Sequence, residues 1–318
     1  MRIINRIICL ISVVMLLSVS FPAYCGPVYK LSGETFPYAS FRDVPGVTED
    51  EIKAIEAFQR QGISFVYGMT PNTETFYAED NNIKGFAALF CTWLTEFFGI
   101  PFKPAIYEWE DLIAGHETGE VDFSGELTPT DERRKTYFMT DAIIARPIKY
   151  IRIEGSPPLS EIAAARPLRL GFLEGSTTYD YVVSSNALDK FEAFFVGDSG
   201  AVYSSLKSGE TDAFIEEGVM EAAFDIYGDV TTVDFLPLIF SPISMATQNP
   251  ALDPVISIVQ KALQNTDGQH LAWLYNQGHR EYQKNKMFLR LTEEEKAYIQ
   301  MNPVVPFAAE IDNYPICF

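Results

Sequence analysis

The sequence contains few of the side chains that metal sites, disulfide networks and histidine-dependent catalysis require. Its 318 residues include three histidines and four cysteines, and two of those cysteines, Cys9 and Cys25, lie near the N-terminus. Zinc sites need clustered cysteine and histidine, and hydrolytic triads need a histidine beside a nucleophile. Since the histidines are scattered without ligand spacing, we expect no metal site and no cofactor.

Basic residues are also scarce. The chain has 24 Lys and Arg against 43 Asp and Glu, and a formal net charge of −19. Binding to nucleic acid needs a basic surface that neutralises phosphates, so a nucleic-acid partner is excluded. The same charge disfavours a purely anionic ligand and fits a zwitterion better. The chain is also longer than a usual single domain of roughly 100–200 residues, so we expect two lobes or one domain with additions.

The first 25 residues have the layout of a secretory signal. Arg2 and Arg6 precede an uncharged apolar run, Ile7–Phe21, and a small-x-small end follows at Ala23-Tyr24-Cys25. The run is shorter than the ~20 residues that cross a bilayer comfortably. We therefore predict cleavage near Cys25 and a periplasmic or extracytoplasmic mature protein. A retained membrane anchor and a lipidated Cys25 are the alternatives.

From Ile63 onwards, strand-like and helix-like segments alternate. The clearest helix is predicted over Ile83–Phe98, where aromatic and aliphatic residues recur at helical spacing and Gly99 supplies a C-cap. Such alternation predicts an α/β fold with mainly parallel sheets. The predicted strands are Ile63–Met69, Pro101–Tyr107, Val121–Ser124, Ile144–Ile153, Leu168–Phe172, Ala193–Val196 and Asp212–Glu216.

A short internal repeat suggests two similar lobes. The residues Gly-Glu-x-Asp occur at Gly119–Asp122 and again at Gly209–Asp212. In each copy a helical pattern ends at the glycine and a strand follows. Because ligands of open α/β sheets bind beyond the carboxyl ends of strands, we expect Ser124–Thr130 and Glu216–Gly218 to face a common cleft.

A second repeat connects the two ends of the mature chain. Thr48–Glu51 and Thr292–Glu295 both fit the capping box that opens a helix, and each is followed by a strand-like segment. Two ordinary capped helices are one interpretation. The other is that a second copy of the whole module begins near Leu291 and continues to Phe318.

The segment Ser124–Arg134 resembles the family 3 periplasmic solute-binding proteins of the polar amino-acid type. In that family a Ser/Thr loop at a strand end leads to Thr-x-x-Arg, as Thr130–Arg133 does here. The resemblance implies that Arg133 binds the ligand carboxylate as a planar fork and that Thr128 supplies a hydroxyl contact. The alternative is that Arg133 is a solvated helix residue.

Four more candidate ligand contacts follow from the same resemblance. Phe76 matches the family's aromatic contact, although Thr75 replaces the usual proline. Ser176 and Thr177 match a Gly-Ser/Thr-Thr helix start that offers amides to an anion, with a simple N-cap as the alternative. Glu217 matches the acid that receives the ligand ammonium, with a solvated glutamate as the alternative.

Glu126, at the end of the first-lobe strand, is the remaining acid that we place in the cleft. Trp109 resembles the first residue of the family's Trp-x-x-Leu helix, and we interpret it as structural rather than ligand-facing.

The resemblance implies the two-lobed Venus flytrap of the type II periplasmic binding proteins. An entry segment with a short capped helix would occupy 26–62 and the flytrap 63–286, with the linker helix and the start of a truncated second flytrap at 287–318. Within the flytrap, lobe 1 would comprise about 63–147 and 243–286, and lobe 2 about 148–242. The lobes would be joined by hinges near 142–149 and 235–245.

The chain resembles still more closely the flytrap sensor modules, often tandem, of membrane histidine kinases and diguanylate cyclases. Gly125–Thr128, Leu274–Gly278, Leu291–Glu295 and Asp312–Pro315 carry this resemblance. It implies an exported module that binds a small amino-acid-like ligand and forms the N-terminal part of a truncated transmembrane signalling protein. Its other partners would be a second flytrap and a membrane signalling protein.

Two other functions remain open at this point, and a nonfunctional gene remnant is a further alternative. One is the substrate-binding protein of an ABC amino-acid importer. The other is an enzyme similar to cyclohexadienyl dehydratase on the same fold, with a cleft acid as the proton donor. Because carboxylates are abundant throughout the chain, their presence says little, and we do not expect an enzyme.

Overall fold

Strands and helices alternate along the chain, as the sequence predicts. The computed structural model describes residues 36–185, 188, 190–236, 238–302 and 304. Its strands are β1 (Phe65–Met69), β2 (Phe76–Tyr77), β3 (Ile83–Lys84), β4 (Phe102–Ile106), β5 (Phe123–Leu127), β6 (Phe138–Ile153), β7 (Leu168–Leu173), β8 (Phe191–Val196), β9 (Ala213–Glu217), β10 (Val230–Asp234) and β11 (Phe240–Thr247).

The helices lie between these strands and after the last one. They are α1 (Glu49–Gln61), α2 (Phe86–Phe98), α3 (Trp109–Thr118), α4 (Leu159–Ala165), α5 (Thr178–Ser185), α6 (Ser199–Ser208), α7 (Asp253–Gln264), α8 (Gln269–Leu289) and α9 (Glu293–Met301). No helix in the described part of the chain is long and apolar enough to span a bilayer.

Lobe 1 is built on the parallel strands β4, β1 and β5, in that order. Helix α2 covers them with a stripe of buried aromatic side chains, among them Phe86, Phe90 and Phe97. The predicted start of this helix at Ile83 is wrong, because β3 occupies 83–84 and Gly85 breaks the chain direction with a φ of +99°. The predicted end is confirmed, since Gly99 is left-handed there.

Lobe 2 repeats this arrangement with the parallel strands β8, β7 and β9. Gly119 and Gly209 both end a helix in the left-handed conformation, as the first repeat predicts. The aspartates of the two repeats also act alike. Asp122 accepts a hydrogen bond from the Val66 amide at 2.7 Å, and Asp212 accepts one from the Arg169 amide at 2.8 Å. Each carboxylate therefore fastens the start of the neighbouring parallel strand.

Two long antiparallel strands connect the lobes. Strand β6 pairs with β11 up to Pro147 and then pairs with β9 from Ile148 and with β10 from Lys149. Strand β11 in turn pairs with β5 of lobe 1. The strands that cross between the lobes are therefore antiparallel, whereas the three strands named above in each lobe are parallel.

Both predicted capping boxes are present, at Thr48 before α1 and at Thr292 before α9. Helix α1 is held on lobe 1, because Glu51 also accepts hydrogen bonds from Ser257 at 2.6 Å and from Lys261. Helix α9 buries none of its residues. The predicted signal at 1–25 and Asp312–Pro315 lie outside the described residues, so the second flytrap stays a prediction.

Candidate functional site

A cavity of about 560 Å³ lies between the lobes, where the carboxyl ends of β5 and β9 face each other. Residues of both lobes line it, as expected for a cleft at strand ends. Six of the predicted site residues are among them, namely Glu126, Thr128, Arg133, Ser176, Thr177 and Glu217.

Arg133 presents its guanidinium to this cavity from a short 3-10 helix, Arg133–Lys135. The Thr130 hydroxyl accepts a hydrogen bond from the Arg133 amide at 3.2 Å and so starts this turn. Among the described residues the guanidinium makes one hydrogen bond, from Nη1 to the Thr128 carbonyl at 3.5 Å, and no ion pair. Burial lowers the pKa of Arg133 from its ordinary value. The Glu217 charge also acts on Arg133, but no carboxylate of the described residues forms a direct ion pair with it, so the guanidinium can still receive an anionic group.

Thr128, Ser176 and Thr177 come together at the contact between the lobes. The hydroxyls of Thr128 and Thr177 are 3.2 Å apart, and the Ser176 hydroxyl accepts a 3.4 Å hydrogen bond from the Thr178 amide. Ser176 therefore binds the first amide of α5 from one residue before the N-cap position, which Thr177 occupies, and it lines the cavity as well.

An ion cluster that we did not predict forms part of the cavity wall, which Glu126, Arg146 and Glu217 all line. Arg146, in the middle of β6, is 1% exposed. It donates to both carboxylate oxygens of Glu74, from Nε at 3.0 Å and from Nη2 at 2.6 Å. Its Nη1 donates to Glu126 and to Glu217, each at 2.7 Å. One guanidinium thus holds three carboxylates, two from lobe 1 and one from lobe 2.

Burial and charge act in opposite directions within this cluster. Burial lowers the pKa of Arg146, but Glu126, Glu74 and Glu217 more than offset that effect and raise it well above its ordinary value. Burial raises the pKa of Glu74 in spite of the Arg146 charge beside it. Arg146 is therefore permanently charged, and it is the group that makes the buried carboxylates tolerable.

Glu126 is occupied on both of its carboxylate oxygens. Oε1 accepts hydrogen bonds from the amide and the hydroxyl of Thr70 and from Asn72 Nδ2, all at 2.9 Å. Oε2 accepts from Arg146. Glu126 lines the cavity, but these bonds make it part of the frame that positions Arg146.

Glu216 differs from the other buried acids. It is 4% exposed and lines the cavity from lobe 2. Its Oε1 accepts from the Thr178 hydroxyl at 2.7 Å and from the Glu217 amide at 3.0 Å. Oε2 is shielded from solvent and forms no direct hydrogen bond among the described residues, although the Ser176 hydroxyl acts on the carboxylate and lowers its pKa. Burial, with a further contribution from the Glu217 charge, raises its pKa to about 7.

The aromatic residues are placed differently from the sequence interpretation. Phe76 does not line the cavity, because it is buried against Tyr282 with ring centroids 5.6 Å apart. Trp109, which we interpreted as structural, lines the cavity and also packs against the cluster of Leu127 and Met139. Trp109, rather than Phe76, therefore supplies an aromatic side chain to the cavity wall.

Other contacts hold the lobes together around this site. The Thr73 amide donates to the Val219 carbonyl at 3.0 Å, and the Tyr282 hydroxyl donates to Asp225 at 2.5 Å. Together with the Arg146–Glu217 pair, these bonds join lobe 1 to the end of β9 and to the segment that follows it. The cavity is therefore bounded by both lobes at once.

The sequence model of the bacterial extracellular solute-binding proteins, family 3, matches residues 65–286. The fold is similar to that of the amino acid ABC transporter substrate-binding protein AbpA from Streptococcus pneumoniae, solved bound to L-arginine. The identity is 17% and the TM-score 0.56, with 71% of this chain and 98% of that chain covered.

The periplasmic domain of BvgS from Bordetella pertussis is also similar, with 16% identity and a TM-score of 0.60. The match covers 77% of this chain and 49% of that one, so this chain corresponds to about half of the BvgS periplasmic domain. The single VFT2 domain of BvgS matches over 73% of this chain and 99% of its own length, with 16% identity and a TM-score of 0.57. No curated protein matches the chain in sequence.

Proposed function

The chain belongs to the bacterial extracellular solute-binding proteins of family 3, and we propose that it is an exported module that binds a small amino-acid-like ligand between its lobes. The observation that carries this proposal is Arg133. Its guanidinium faces the cavity without an ion-pair partner among the described residues, and cavity acids lie on lobe 2. A ligand with a carboxylate and an ammonium group would match both.

The size of the cavity supports a small ligand. Pockets for small molecules usually have volumes of about 300–1,000 Å³, and this cavity measures about 560 Å³. Apolar side chains, including Trp109, Leu173 and Met220, supply part of its wall. Thr128, Ser176 and Thr177 would add hydroxyl contacts beside the Arg133 guanidinium. AbpA and an ancestral arginine-binding protein of similar fold were solved with amino acids bound, which is consistent with this ligand class.

Isothermal titration of the purified protein with a panel of amino acids tests the proposal. We expect one or more to bind, and Arg133→Ala to weaken binding about 100-fold, because two charge-assisted hydrogen bonds are lost. Lys135→Ala is the matched control, since Lys135 belongs to the same short helix but is exposed and pairs with Glu132. Unchanged affinity in Arg133→Ala would remove Arg133 from the ligand site.

We further propose that the module belongs to a transmembrane signalling protein rather than to an importer. The support is the second capping box. It begins α9, which precedes residues 303–318, in the same way that the first box begins α1, which precedes β1. Reading the coding sequence beyond codon 318 tests this. A second flytrap and a membrane-spanning helix are expected, whereas adjacent permease and ATPase genes would indicate the importer.

A proton-transfer enzyme is the second candidate, because Glu216 has a pKa of about 7 and lies in the cavity. That value suits a general acid at neutral pH. Incubating the purified protein with prephenate or arogenate tests it. Product release that is lost in Glu216→Gln would support the enzyme, and unreacted substrate would leave the binding module as the function.

A further inference from the structure

Helix α8 contacts both lobes, and its first half belongs to lobe 1. Leu274 is buried in the core of that lobe. Gly278 lies so close to α2 that a β-carbon would be 2.2 Å from the Phe86 amide nitrogen. Glu281 then accepts a hydrogen bond from the Gly85 amide at 3.0 Å. Helix α8 is therefore fixed to lobe 1 as far as Glu281.

The next turns of α8 are held by lobe 2. The Tyr282 hydroxyl donates to Asp225 at 2.5 Å and accepts from Lys286 Nζ at 3.2 Å. Lys286 Nζ also lies 2.8 Å from the other Asp225 oxygen and 3.5 Å from a Glu221 oxygen. Glu221 is itself fixed, because its second oxygen accepts from the Thr232 hydroxyl at 2.9 Å. We call the four side chains Tyr282, Lys286, Glu221 and Asp225 the clasp.

The clasp is partly shielded from water. Tyr282 is 3% exposed, and the side chains of Asp225, Glu221 and Lys286 are 20%, 22% and 26% exposed. Charge-assisted hydrogen bonds are stronger than neutral ones, and partly buried pairs are screened less than surface pairs. Because the two acids lie on lobe 2 and their partners on α8, any separation of the lobes must break these bonds.

The short helix that carries Glu221 also faces the cavity. Within this 3-10 helix, Gly218–Phe224, Met220 lines the cavity, whereas Glu221 belongs to the clasp. The Val219 carbonyl accepts from the Thr73 amide of lobe 1 at 3.0 Å. One short helix therefore joins the cavity wall, an interlobe hydrogen bond and the clasp.

The other end of α8 leads directly into α9. The Arg290 and Leu291 amides donate to the Met287 and Phe288 carbonyls at the turn between the helices. Lys296 of α9 packs back on α8, with its Nζ 5.3 Å from the centroid of the Phe288 ring. Since α9 buries none of its residues, its position is set mainly by the end of α8.

We propose that the clasp makes the second half of α8 a strap across the two lobes, and that this strap couples the separation of the lobes to the position of α9. With the lobes together, lobe 2 holds the strap in place. When the lobes separate, Tyr282 and Lys286 lose their partners on lobe 2, and the end of α8 is released together with α9. The inference goes beyond the proposed function and requires no assumption about the ligand.

Amide hydrogen exchange of the purified full-length protein, without added ligand, tests the proposal. It follows residues 282–289 of the strap and the Thr73 amide, which bonds across the lobes to Val219. Lys286→Met should raise exchange at both places about fivefold or more, because a charge-assisted interlobe contact is lost. Lys284→Met is the matched control, because Lys284 is exposed on the same helix and forms no ion pair among the described residues. It should leave exchange of the Thr73 amide unchanged.

Glu217→Gln distinguishes a coupled strap from a local contact. Glu217 pairs with Arg146 across the lobes and is not part of the clasp. Weakening this pair should raise exchange at 282–289 about threefold or more if the strap follows the lobes. A contact that only stabilises α8 would not respond to this change.

Two results would overturn the proposal. One is that Lys286→Met leaves exchange of the Thr73 amide unchanged, whether or not residues 282–289 respond. The other is that Glu217→Gln raises exchange of the Thr73 amide without changing residues 282–289. Circular dichroism spectra confirm that each variant is folded. Lys286 is partly exposed, so Lys286→Met is expected to fold, and its Thr73 readout decides the proposal even if Glu217→Gln does not fold.

Discussion

Replacing Arg146 by methionine should be among the most destabilising single changes in this protein. Arg146 is almost completely buried and donates to Glu74, Glu126 and Glu217. Methionine fills a similar volume but supplies no donor and no charge. Two of the three carboxylates are also buried and would be left without their counter-ion. Because the three carboxylates together come from both lobes, with Glu217 on lobe 2, the loss affects the hinge and the cleft together.

The magnitude follows from the cost of an uncompensated buried charge. Removing one partner of a buried ion pair typically costs about 3–5 kcal/mol. Domains are stable by only about 5–15 kcal/mol, so Arg146→Met should consume a large part of the total. In a chain of this size each kcal/mol corresponds to roughly 2–4 °C in the thermal midpoint. A decrease of about 6–20 °C is therefore expected.

The loss of stability caused by Arg146→Met should become larger as the pH rises. Without the guanidinium, burial keeps the folded-state pKa of Glu74 above its unfolded value, in the direction already seen in the intact cluster. A group with a raised folded-state pKa contributes stability below its unfolded pKa and loses it as the pH rises through the folded value. Arg146→Met should therefore be closest to the wild type in acid and furthest from it at alkaline pH.

Urea unfolding, followed by circular dichroism at several pH values, measures the effect. Adding Glu74→Gln provides the control, because it removes one of the two charges left buried on lobe 1. In the wild type Glu74→Gln should destabilise, whereas in Arg146→Met it should stabilise. If Arg146→Met unfolds within about 1 kcal/mol of the wild type at neutral pH, the cluster does not hold the fold as argued.

Two further predictions concern other parts of the structure. Gly85→Ala should destabilise by about 1–3 kcal/mol, because its β-carbon would lie 2.4 Å from the Glu74 carbonyl oxygen at a φ of +99°. Gly46→Ala, with a φ of +83° but open space around the β-carbon, should cost less in the same thermal melts. Glu51→Gln should lower the thermal midpoint at neutral pH. The folded-state pKa of Glu51 is about 2, against an ordinary 4.5, so the difference should shrink as the pH falls between these values and a constant difference would refute it.

The order of elements and the two-lobed fold could be predicted from local patterns. Strand and helix periodicity, glycine C-caps and the repeated Gly-Glu-x-Asp segments are all short-range signals, and Asp122 and Asp212 confirm the repeat by fastening equivalent strands. The helix α2 was predicted to start too early, at Ile83, because the conformation of Gly85 depends on contacts that are distant in sequence. Its amide donates to Glu281, and the Glu74 backbone leaves no room for a side chain.

The ion cluster could not be predicted in this way. Its partners lie 72, 20 and 71 residues from Arg146 along the chain, so no local pattern joins them. The sequence around Arg146 does carry one indication of a buried ion pair. Arg146 shares its face of β6 with Ile144 and Ile148, and a charged residue in an apolar strand position needs a buried partner.

Phe76 shows a different limit of sequence comparison. Its motif matches the family, but its side chain does not lie where the motif predicts. The chain next to it turns Glu74 inwards to Arg146, and the Phe76 ring packs on α8 through Tyr282. Trp109 then occupies the wall of the cavity. A resemblance can therefore identify the type of site while the contact residues are rearranged around a local ion pair.

The two connecting strands, β6 and β11, determine where the lobes would rotate relative to each other. The last pair that β6 makes with β11 joins Pro147 to Phe240, and the next residue, Ile148, pairs with lobe 2. A rotation of the lobes would therefore have its axis close to this step, and displacement grows with distance from an axis. Arg146, one residue away, would move least, so a small rotation would leave most of its bonds intact. Residues remote from the axis would separate first, and a ligand that bridges the lobes there would resist opening with the greatest torque.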